Sequence, residues 1–179
     1  MKTRAECLEK YGSDYFIEKK IEAGELFKIG KGIYSDKKLV PEISMFTHKY
    51  PNAVVTMKSA FYVHGLTDVI PDKCDLATTR DAAKIKNERV KQYFIQNSFF
   101  NEGIETINYK GYETRIYNKE RMLIELVRYK SKLPFDYYKE IILNYRKLLP
   151  GLDIQKIQDY ALMSPKSSKV IEILKMEVF

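Results

Sequence analysis

The stretch that decides the fold reads TRAECLEKYG at residues 3–12, SDYFIEKKIEAG at 13–24 and ELFKIGKGIYSD at 25–36. Thr3 and Glu6 form a capping box, in which the threonine oxygen accepts an orphan backbone N–H and the glutamate reaches back to the N-cap backbone. The first segment is therefore predicted to be a helix that begins beside Thr3.

The second segment predicts another helix, separated from the first by a turn. Gly12 breaks the first helix, and Ser13 is a residue type preferred at a helix N-cap. Ile17 and Ile21 are four residues apart, so we expect both to face inward. Gly24 suits the left-handed position that ends a helix.

The third segment predicts a short β-hairpin, with a strand at 26–30, a tight turn at Gly30-Lys31-Gly32 and a returning strand at Ile33-Tyr34. Helix, turn, helix and hairpin is the order of parts in a winged helix-turn-helix, whose second helix enters the DNA major groove. The alternative is a helix pair and a hairpin that contact no nucleic acid. The DNA-binding interpretation predicts contacts from Ser13, Tyr15, Lys19, Lys20, Lys28 and Lys31.

The predicted fold class is α+β, with a truncated N-terminal winged helix-turn-helix. A complete winged domain has three helices before the wing, and this sequence begins almost at the second. We expect the missing helix to come from the segment after the wing or from a second subunit, the alternative being a degenerate module. The predicted domains are residues 1–38 and residues 39–179, the latter with a mixed α/β core at 39–118 and a helical segment at 119–179.

Turn and helix signals predict the elements of the second domain. Residues 88–96 fit a strand as well as a helix, and Ser164-Pro165 is a candidate break in the last helix. The other predicted elements are helix 41–50, strand 53–56, helix 57–64, strand 74–78, hairpin 105–116 and helices 119–132, 134–149 and 153–177.

Composition limits the class of protein. A hydrophobic content of 45% supports a real core. No signal peptide and no membrane-length apolar run is visible, so we expect a cytoplasmic protein with no membrane partner. Cys7 and Cys74 are interpreted as reduced thiols in that compartment.

The net charge of +7 is concentrated in the last third, where residues 119–179 hold 12 basic and 8 acidic side chains. We expect the apolar faces of these helices to build a core and to leave the basic side chains outside. Such a surface either keeps the protein soluble or binds an RNA or nucleotide-related target. The expected members are Arg121, Arg128, Lys130, Lys132, Arg146 and Lys147.

Candidates for catalysis are few. His64 precedes Gly65 at a predicted helix end, where an imidazole readily caps carbonyl groups, so we expect a structural role. Asp75 with Glu113 and Arg115 resembles the carboxylate arrangement that gathers a divalent metal in nucleases. A small metal-dependent nuclease with a helix-turn-helix targeting module is therefore the alternative function. The favoured interpretation has no catalytic residues, no metal site and no cofactor.

Four blocks in order carry a family resemblance, and together they cover roughly residues 3–128. They are GELFKIGKGIYSD (24–36), PNAVVTMKSAFYVHGLTD (51–68), KCDLATTRD (73–81) and GIETINYKGYETRIYNKERMLIELVRY (103–129). In these blocks the chain resembles the AbiEi-type antitoxins, DNA-binding partners of nucleotidyltransferase toxins in bacterial toxin–antitoxin and phage-defence (abortive infection) loci.

The resemblance implies a non-enzymatic transcription regulator that represses its own operon. It implies that the N-terminal winged domain binds inverted repeats in promoter DNA. It also implies that the larger C-terminal domain neutralises a neighbouring nucleotidyltransferase-like toxin, without a stable toxin–antitoxin complex.

Overall fold

The computed structural model describes residues 1–179, which fold as an α+β protein in two compact units. The first unit consists of Met1–Pro51 and Asn108–Thr114, and the second consists of Asn52–Ile107 and Arg115–Phe179. The α+β class is as predicted, while the domain boundary placed after residue 38 stays a prediction. None of the helices combines the length and the apolar composition needed to cross a membrane.

The first unit contains a three-stranded antiparallel sheet in the order β1-β3-β2. The hairpin β2–β3 and both predicted helices are present, and a two-residue strand at the start of the chain pairs with β3. The elements are β1 (Lys2–Thr3), α1 (Arg4–Tyr11), α2 (Asp14–Glu22), β2 (Phe27–Gly30), β3 (Ile33–Ser35) and α3 (Glu42–Lys49).

Apolar side chains from both helices and the hairpin form the core of the first unit. Cys7, Ile17, Leu26 and Tyr34 are buried together, with Ile21 partly buried against them, so the predicted inward pair on α2 is confirmed. This core fixes α1 and α2 on the sheet, because removing these side chains from water is the main favourable term in folding.

Helix α3 also belongs to the first unit. Ile43 and Phe46 are buried, as predicted. A Cβ on Gly30 would lie 3.3 Å from Met45 Sδ, which places α3 directly beside the hairpin turn. The segment after the hairpin therefore supplies a third helix to this unit.

The second unit is built on a five-stranded mixed sheet in the order β6-β5-β4-β8-β7, of which the end of β7 and the start of β8, within Asn108–Thr114, belong to the first unit. Strand β5 pairs antiparallel with β4 and parallel with β6, and β4 pairs parallel with β8. The elements are β4 (Val54–Val55), α4 (Met57–Val63), β5 (Cys74–Thr79), β6 (Val90–Ile95), α5 (Asn97–Phe100), β7 (Ile104–Tyr109), β8 (Tyr112–Tyr117), α6 (Lys119–Arg128), α7 (Phe135–Leu148), α8 (Ile154–Met163) and α9 (Ser167–Glu177).

The structure resolves two ambiguities of the sequence and shortens one predicted helix. The segment that fitted either state is strand β6, and the last helix is indeed broken at Ser164-Pro165. Helix α6 ends at Arg128, and a separate 3-10 turn follows at Lys130–Lys132, where one continuous helix was predicted.

Arg121 was predicted to lie on an exposed basic surface, and this prediction is wrong, because its side chain is fully buried in the second unit. Its Nε and Nη2 donate to Glu125 Oε1 at 3.0 and 2.7 Å. Its Nη1 donates to the carbonyl oxygens of Phe99 and Glu102 at 2.6 and 2.8 Å. Arg121 cannot reach solvent, because seven consecutive residues of α6, from Arg121 to Val127, are buried. An arginine tolerates such burial when an opposite charge and hydrogen-bond acceptors surround it.

Candidate nucleic-acid interface

Helix α1 is capped at both ends, and its C-terminal end at Gly12 leads directly into α2. Thr3 Oγ1 accepts from the Glu6 backbone N–H at 3.3 Å, and Glu6 Oε2 accepts from the Thr3 N–H at 2.6 Å, so the predicted capping box is confirmed. The hydrogen bonds that the Glu6 carboxylate accepts from the Thr3 backbone N–H and hydroxyl hold the pKa of Glu6 below its ordinary value. Gly12 ends α1 at a φ of +87°, and its N–H donates to the Leu8 carbonyl oxygen at 2.8 Å.

Ser13 occupies the N-cap of α2, but its side chain makes no capping hydrogen bond, which differs from the role expected of it. The neighbouring Asp14 is held by Arg4, whose Nε and Nη2 donate to the carboxylate at 3.1 and 2.5 Å. Because Ser13 is partly exposed, its hydroxyl is available to an outside acceptor at the positive end of the helix dipole.

The outward face of α2 carries two aromatic rings and a lysine. Tyr15 is 62% exposed and Phe16 is 57% exposed, and their rings meet edge-to-face with centroids 5.5 Å apart. Lys19 lies one turn beyond Tyr15, with Nζ 5.7 Å from the Tyr15 ring centroid. Rings of this size are normally buried, so their joint exposure leaves an apolar patch on the outward face of α2.

The remaining predicted DNA contacts divide into paired and unpaired lysines. Lys20 is tied to Glu25, with Nζ and Oε2 2.5 Å apart, and this pairing raises the pKa of Lys20. Lys28 on β2 and Lys31 in the hairpin turn are both exposed and have no carboxylate partner. Lys20 is therefore the least suited of the predicted lysines to meet a phosphate, because its charge is already compensated.

Acidic residues restrict which side of α2 can face a polyanion. Glu18 and Glu22 are both exposed on the helix, on the flank away from Phe16. A phosphate backbone would be repelled from that flank. The surface of α2 available to nucleic acid is therefore the ridge of Tyr15, Phe16 and Lys19. We call these three residues, together with Ser13 and with Lys28 and Lys31 of the hairpin, the α2–hairpin face.

Two arginines of the predicted C-terminal basic surface donate hydrogen bonds to acceptors of the second unit. Arg128 is only partly exposed, and its Nη1 donates to both carboxylate oxygens of the buried Glu125 at 2.7 and 2.8 Å. Arg146 Nε donates to the Glu177 carbonyl oxygen at 2.8 Å. Lys132 and Lys147 are exposed, but only Lys132 lines the same cleft as Arg128.

The carboxylate of the alternative nuclease site has a structural role. Asp75 is buried on β5, and its Oδ2 accepts from the Lys58 backbone N–H in the first turn of α4 at 2.9 Å. Burial raises the pKa of Asp75 to about 6. Glu113 and Arg115 lie on β8, which β4 separates from β5 in the sheet. No group of three or more His, Cys, Asp or Glu side chains is placed to hold a metal ion.

His64 also has the structural role expected of it, through a different partner. Its Nε2 lies 2.7 Å from the Tyr117 carbonyl oxygen on β8, so it joins α4 to the sheet. Burial lowers the pKa of His64, which favours the neutral imidazole there.

Sequence reasoning missed Phe16 as a member of the α2–hairpin face. A phenylalanine beside an isoleucine is ordinarily assigned to the core. The signal that identifies it is the helical phase, because Ile17 and Ile21 fix the inward direction and leave Phe16 outside it.

Comparison with profiles of known protein families gives no match, and a search of curated proteins finds no significant similarity to the chain.

Proposed function

We propose that this protein is a DNA-binding regulator that represses the promoter of its own gene and serves as the antitoxin of a neighbouring nucleotidyltransferase-like toxin. The observation that carries the DNA-binding part is the exposed ridge of Tyr15, Phe16 and Lys19 on α2, in the same unit as the exposed Lys31 of the hairpin turn. The antitoxin part is supported by the resemblance in residues 3–128.

The arrangement of the first unit supports a winged helix-turn-helix. Two short helices joined at Gly12-Ser13 pack on a small antiparallel sheet, and β3 lies between the N-terminal strand and its hairpin partner. In such modules the second helix reads the major groove, and the hairpin reaches the backbone or the minor groove beside it. Helix α2 and the β2–β3 turn would take these two roles.

Each part of the α2–hairpin face has a contact that suits its chemistry. The Ser13 hydroxyl and the N-terminus of α2 would bind one phosphate. Tyr15 and Phe16 would make apolar and hydrogen-bonding contacts with base edges, including thymine methyl groups. Lys19 and Lys31 would neutralise phosphates on either side, which gives affinity without sequence preference.

The nuclease alternative finds no support in the geometry. Asp75 is committed to the first turn of α4, and Glu113 and Arg115 lie two strands away in the sheet order. A metal-dependent mechanism needs carboxylates that converge on one open position. We therefore favour a regulator over an enzyme.

The proposal is tested in cells that carry the chain beside a reporter driven by its own upstream region and beside the adjacent gene under separate control. Wild-type protein is expected to repress the reporter and to restore growth when the adjacent gene is induced. The double substitution Lys19→Ala and Lys31→Ala is expected to abolish repression while growth rescue remains. Loss of neither activity in the double variant, or absence of repression by the wild type, would contradict the DNA-binding proposal. Failure of growth rescue by the wild type would contradict the antitoxin part.

A further inference from the structure

A cleft in the second unit combines basic and aromatic side chains far from the α2–hairpin face in sequence. It has a volume of about 660 Å³, within the range of small-molecule sites. The end of α6, the 3-10 turn, the start of α7 and the first half of α9 form its walls. The side chains that matter for its chemistry are Arg128, Lys130, Lys132, Phe135, Lys166 and Lys169.

The cleft has a surplus of positive charge, because five cationic residues and no acidic residue line it. Two of the five are compensated from outside the lining, Arg128 by Glu125 and Lys130 by Glu177. Burial opposes ionisation of Glu177, but hydrogen bonds from Lys130 and Tyr138 outweigh it and hold the pKa of that carboxyl below its ordinary value. Glu177 is therefore held as a carboxylate opposite Lys130.

Three lysines of the lining remain without a carboxylate partner. Lys132 lies with Nζ 5.1 Å from the Tyr129 ring centroid, and the exposed Lys166 and Lys169 lie at the N-cap and in the first turn of α9. Like charges gathered on one concave surface raise the local concentration of anions. A ligand with several negative oxygens would satisfy all three ammonium groups at once.

The walls of the cleft offer an aromatic surface beside these lysines. Phe135 is 70% exposed at the start of α7, and Tyr129 and Tyr138 also line the cleft. Val170 and Ile173 of α9 complete the apolar part. A flat apolar ring system can stack on such side chains, and every nucleobase has a face suited to it.

The backbone at the mouth of the cleft is also unusual. Lys166 has a φ of +62°, in the left-handed region that a residue with a side chain rarely adopts. This conformation places a lysine at the N-cap of α9, where no side chain caps the helix. Strained residues of this kind cluster at ligand sites, because surrounding structure must hold them in place.

We propose that this cleft binds a nucleotide, with its phosphates on Lys132, Lys166 and Lys169 and its base against Phe135. Two sources share this chemistry, namely a free nucleoside triphosphate and a nucleotide unit of single-stranded RNA. The inference concerns the second unit alone and does not depend on DNA binding by the first unit.

The test uses the full-length protein and three probes measured separately: ATP, a short fluorescein-labelled single-stranded RNA, and inorganic phosphate. The triple variant Lys132→Ala, Lys166→Ala and Lys169→Ala removes the unpaired charges. The matched control Lys86→Ala, Lys139→Ala and Lys175→Ala removes the same charge from exposed lysines outside the lining. Phe135→Ala tests the base contact, and circular dichroism confirms that each variant is folded.

The cleft variant is expected to weaken binding of ATP or RNA by at least about tenfold, whereas the control stays within about twofold of wild type. Phe135→Ala is expected to weaken ATP or RNA but to leave inorganic phosphate unchanged, since phosphate has no base. Preference for ATP or for RNA identifies the source, and either supports the proposal. Absence of binding to both, or equal weakening by the two triple variants, would overturn it.

Discussion

Gly103 has a backbone conformation and a neighbour that together exclude a side chain. Its φ is +76°, and an added Cβ would lie 2.5 Å from Arg121 Cβ and 3.0 Å from Asn118 Oδ1. Gly65 has a similar φ of +68° but open space around it. A substitution at Gly65 therefore measures only the free-energy cost of a left-handed backbone. A substitution at Gly103 adds the cost of displacing the buried Arg121 side chain.

We predict that Gly65→Ala lowers the free energy of unfolding by about 1–2 kcal/mol, the ordinary cost of the left-handed region. Gly103→Ala is expected to cost about 1–3 kcal/mol more, because a buried and hydrogen-bonded side chain must move. Urea denaturation of both variants measures the difference. Equal midpoints for the two variants would show that Arg121 is not held in place at Gly103.

Asp75 predicts a pH dependence of stability. Burial raises its pKa from 3.8 to about 6, so the folded chain holds a proton that the unfolded chain releases. Its contribution is therefore most favourable at low pH and is lost as the pH rises through about 6. Asp75→Asn has no carboxyl group to ionise and keeps an oxygen that can accept the Lys58 N–H.

We predict that the free energy of unfolding of Asp75→Asn rises relative to wild type between about pH 4 and pH 7. The expected change is about 2–3 kcal/mol, from roughly 1.4 kcal/mol for each unit of pKa displacement. Urea titrations at several pH values measure it for both proteins. Parallel curves across this range would mean that Asp75 ionises as freely in the folded state as in the unfolded state.

Single side chains are where sequence-based prediction fails most. Arg121 belongs to the helical range 119–179, in which most of the other charged residues are exposed. The carbonyl groups of Phe99 and Glu102 that accept its hydrogen bonds are about 20 positions earlier in the chain. Burial of a charge depends on these distant partners, which periodicity cannot reveal. The inward pair Ile17 and Ile21 was predictable because its signal is local.

Helix caps show the same contrast at the scale of elements. The sequence offers Thr3 and Ser13 as equivalent N-caps, but only Thr3 makes a capping hydrogen bond. We predict that Thr3→Ala lowers the free energy of unfolding by about 1 kcal/mol, whereas Ser13→Ala changes it by less than about 0.5 kcal/mol. Thermal or urea unfolding of both variants measures this, and a larger loss for Ser13→Ala would contradict the structure of this turn.

Most elements of the fold were predictable because their signals are short-range. The β2–β3 turn, the β7–β8 hairpin and the break at Ser164-Pro165 follow from glycine and proline chemistry. The secondary structure of residues 90–95 could not be predicted, because the spacing of their apolar residues fits the period of a helix as well as that of a strand. Parallel pairing of Cys74 with Val90, and of each following residue with its counterpart, decides it as a strand.

The fold neutralises some of the basic side chains in residues 119–179 and leaves others exposed in one cleft. Arg121 and Arg128 share the buried Glu125, while Lys132, Lys166 and Lys169 meet at one cleft. The sequence locates the excess of basic residues but does not show which of them are neutralised inside. We propose that the α2–hairpin face of the first unit serves regulation alone, and that toxin neutralisation belongs to the second unit.

The α2–hairpin face is proposed to bind promoter DNA through its unpaired lysines. Fluorescence anisotropy of a labelled upstream duplex, titrated with purified protein at several salt concentrations, tests it most directly. The variants are the double substitution Lys19→Ala and Lys31→Ala, and the charge-matched control Lys139→Ala and Lys175→Ala.

Each lost phosphate contact lowers the slope of log affinity against log salt by about 0.9. The Lys19 and Lys31 double variant is therefore predicted to bind more weakly, with a slope reduced by about 2, while the control double variant keeps the wild-type slope. Identical slopes for the two double variants, or no binding of the duplex by wild-type protein, would contradict DNA binding by the α2–hairpin face.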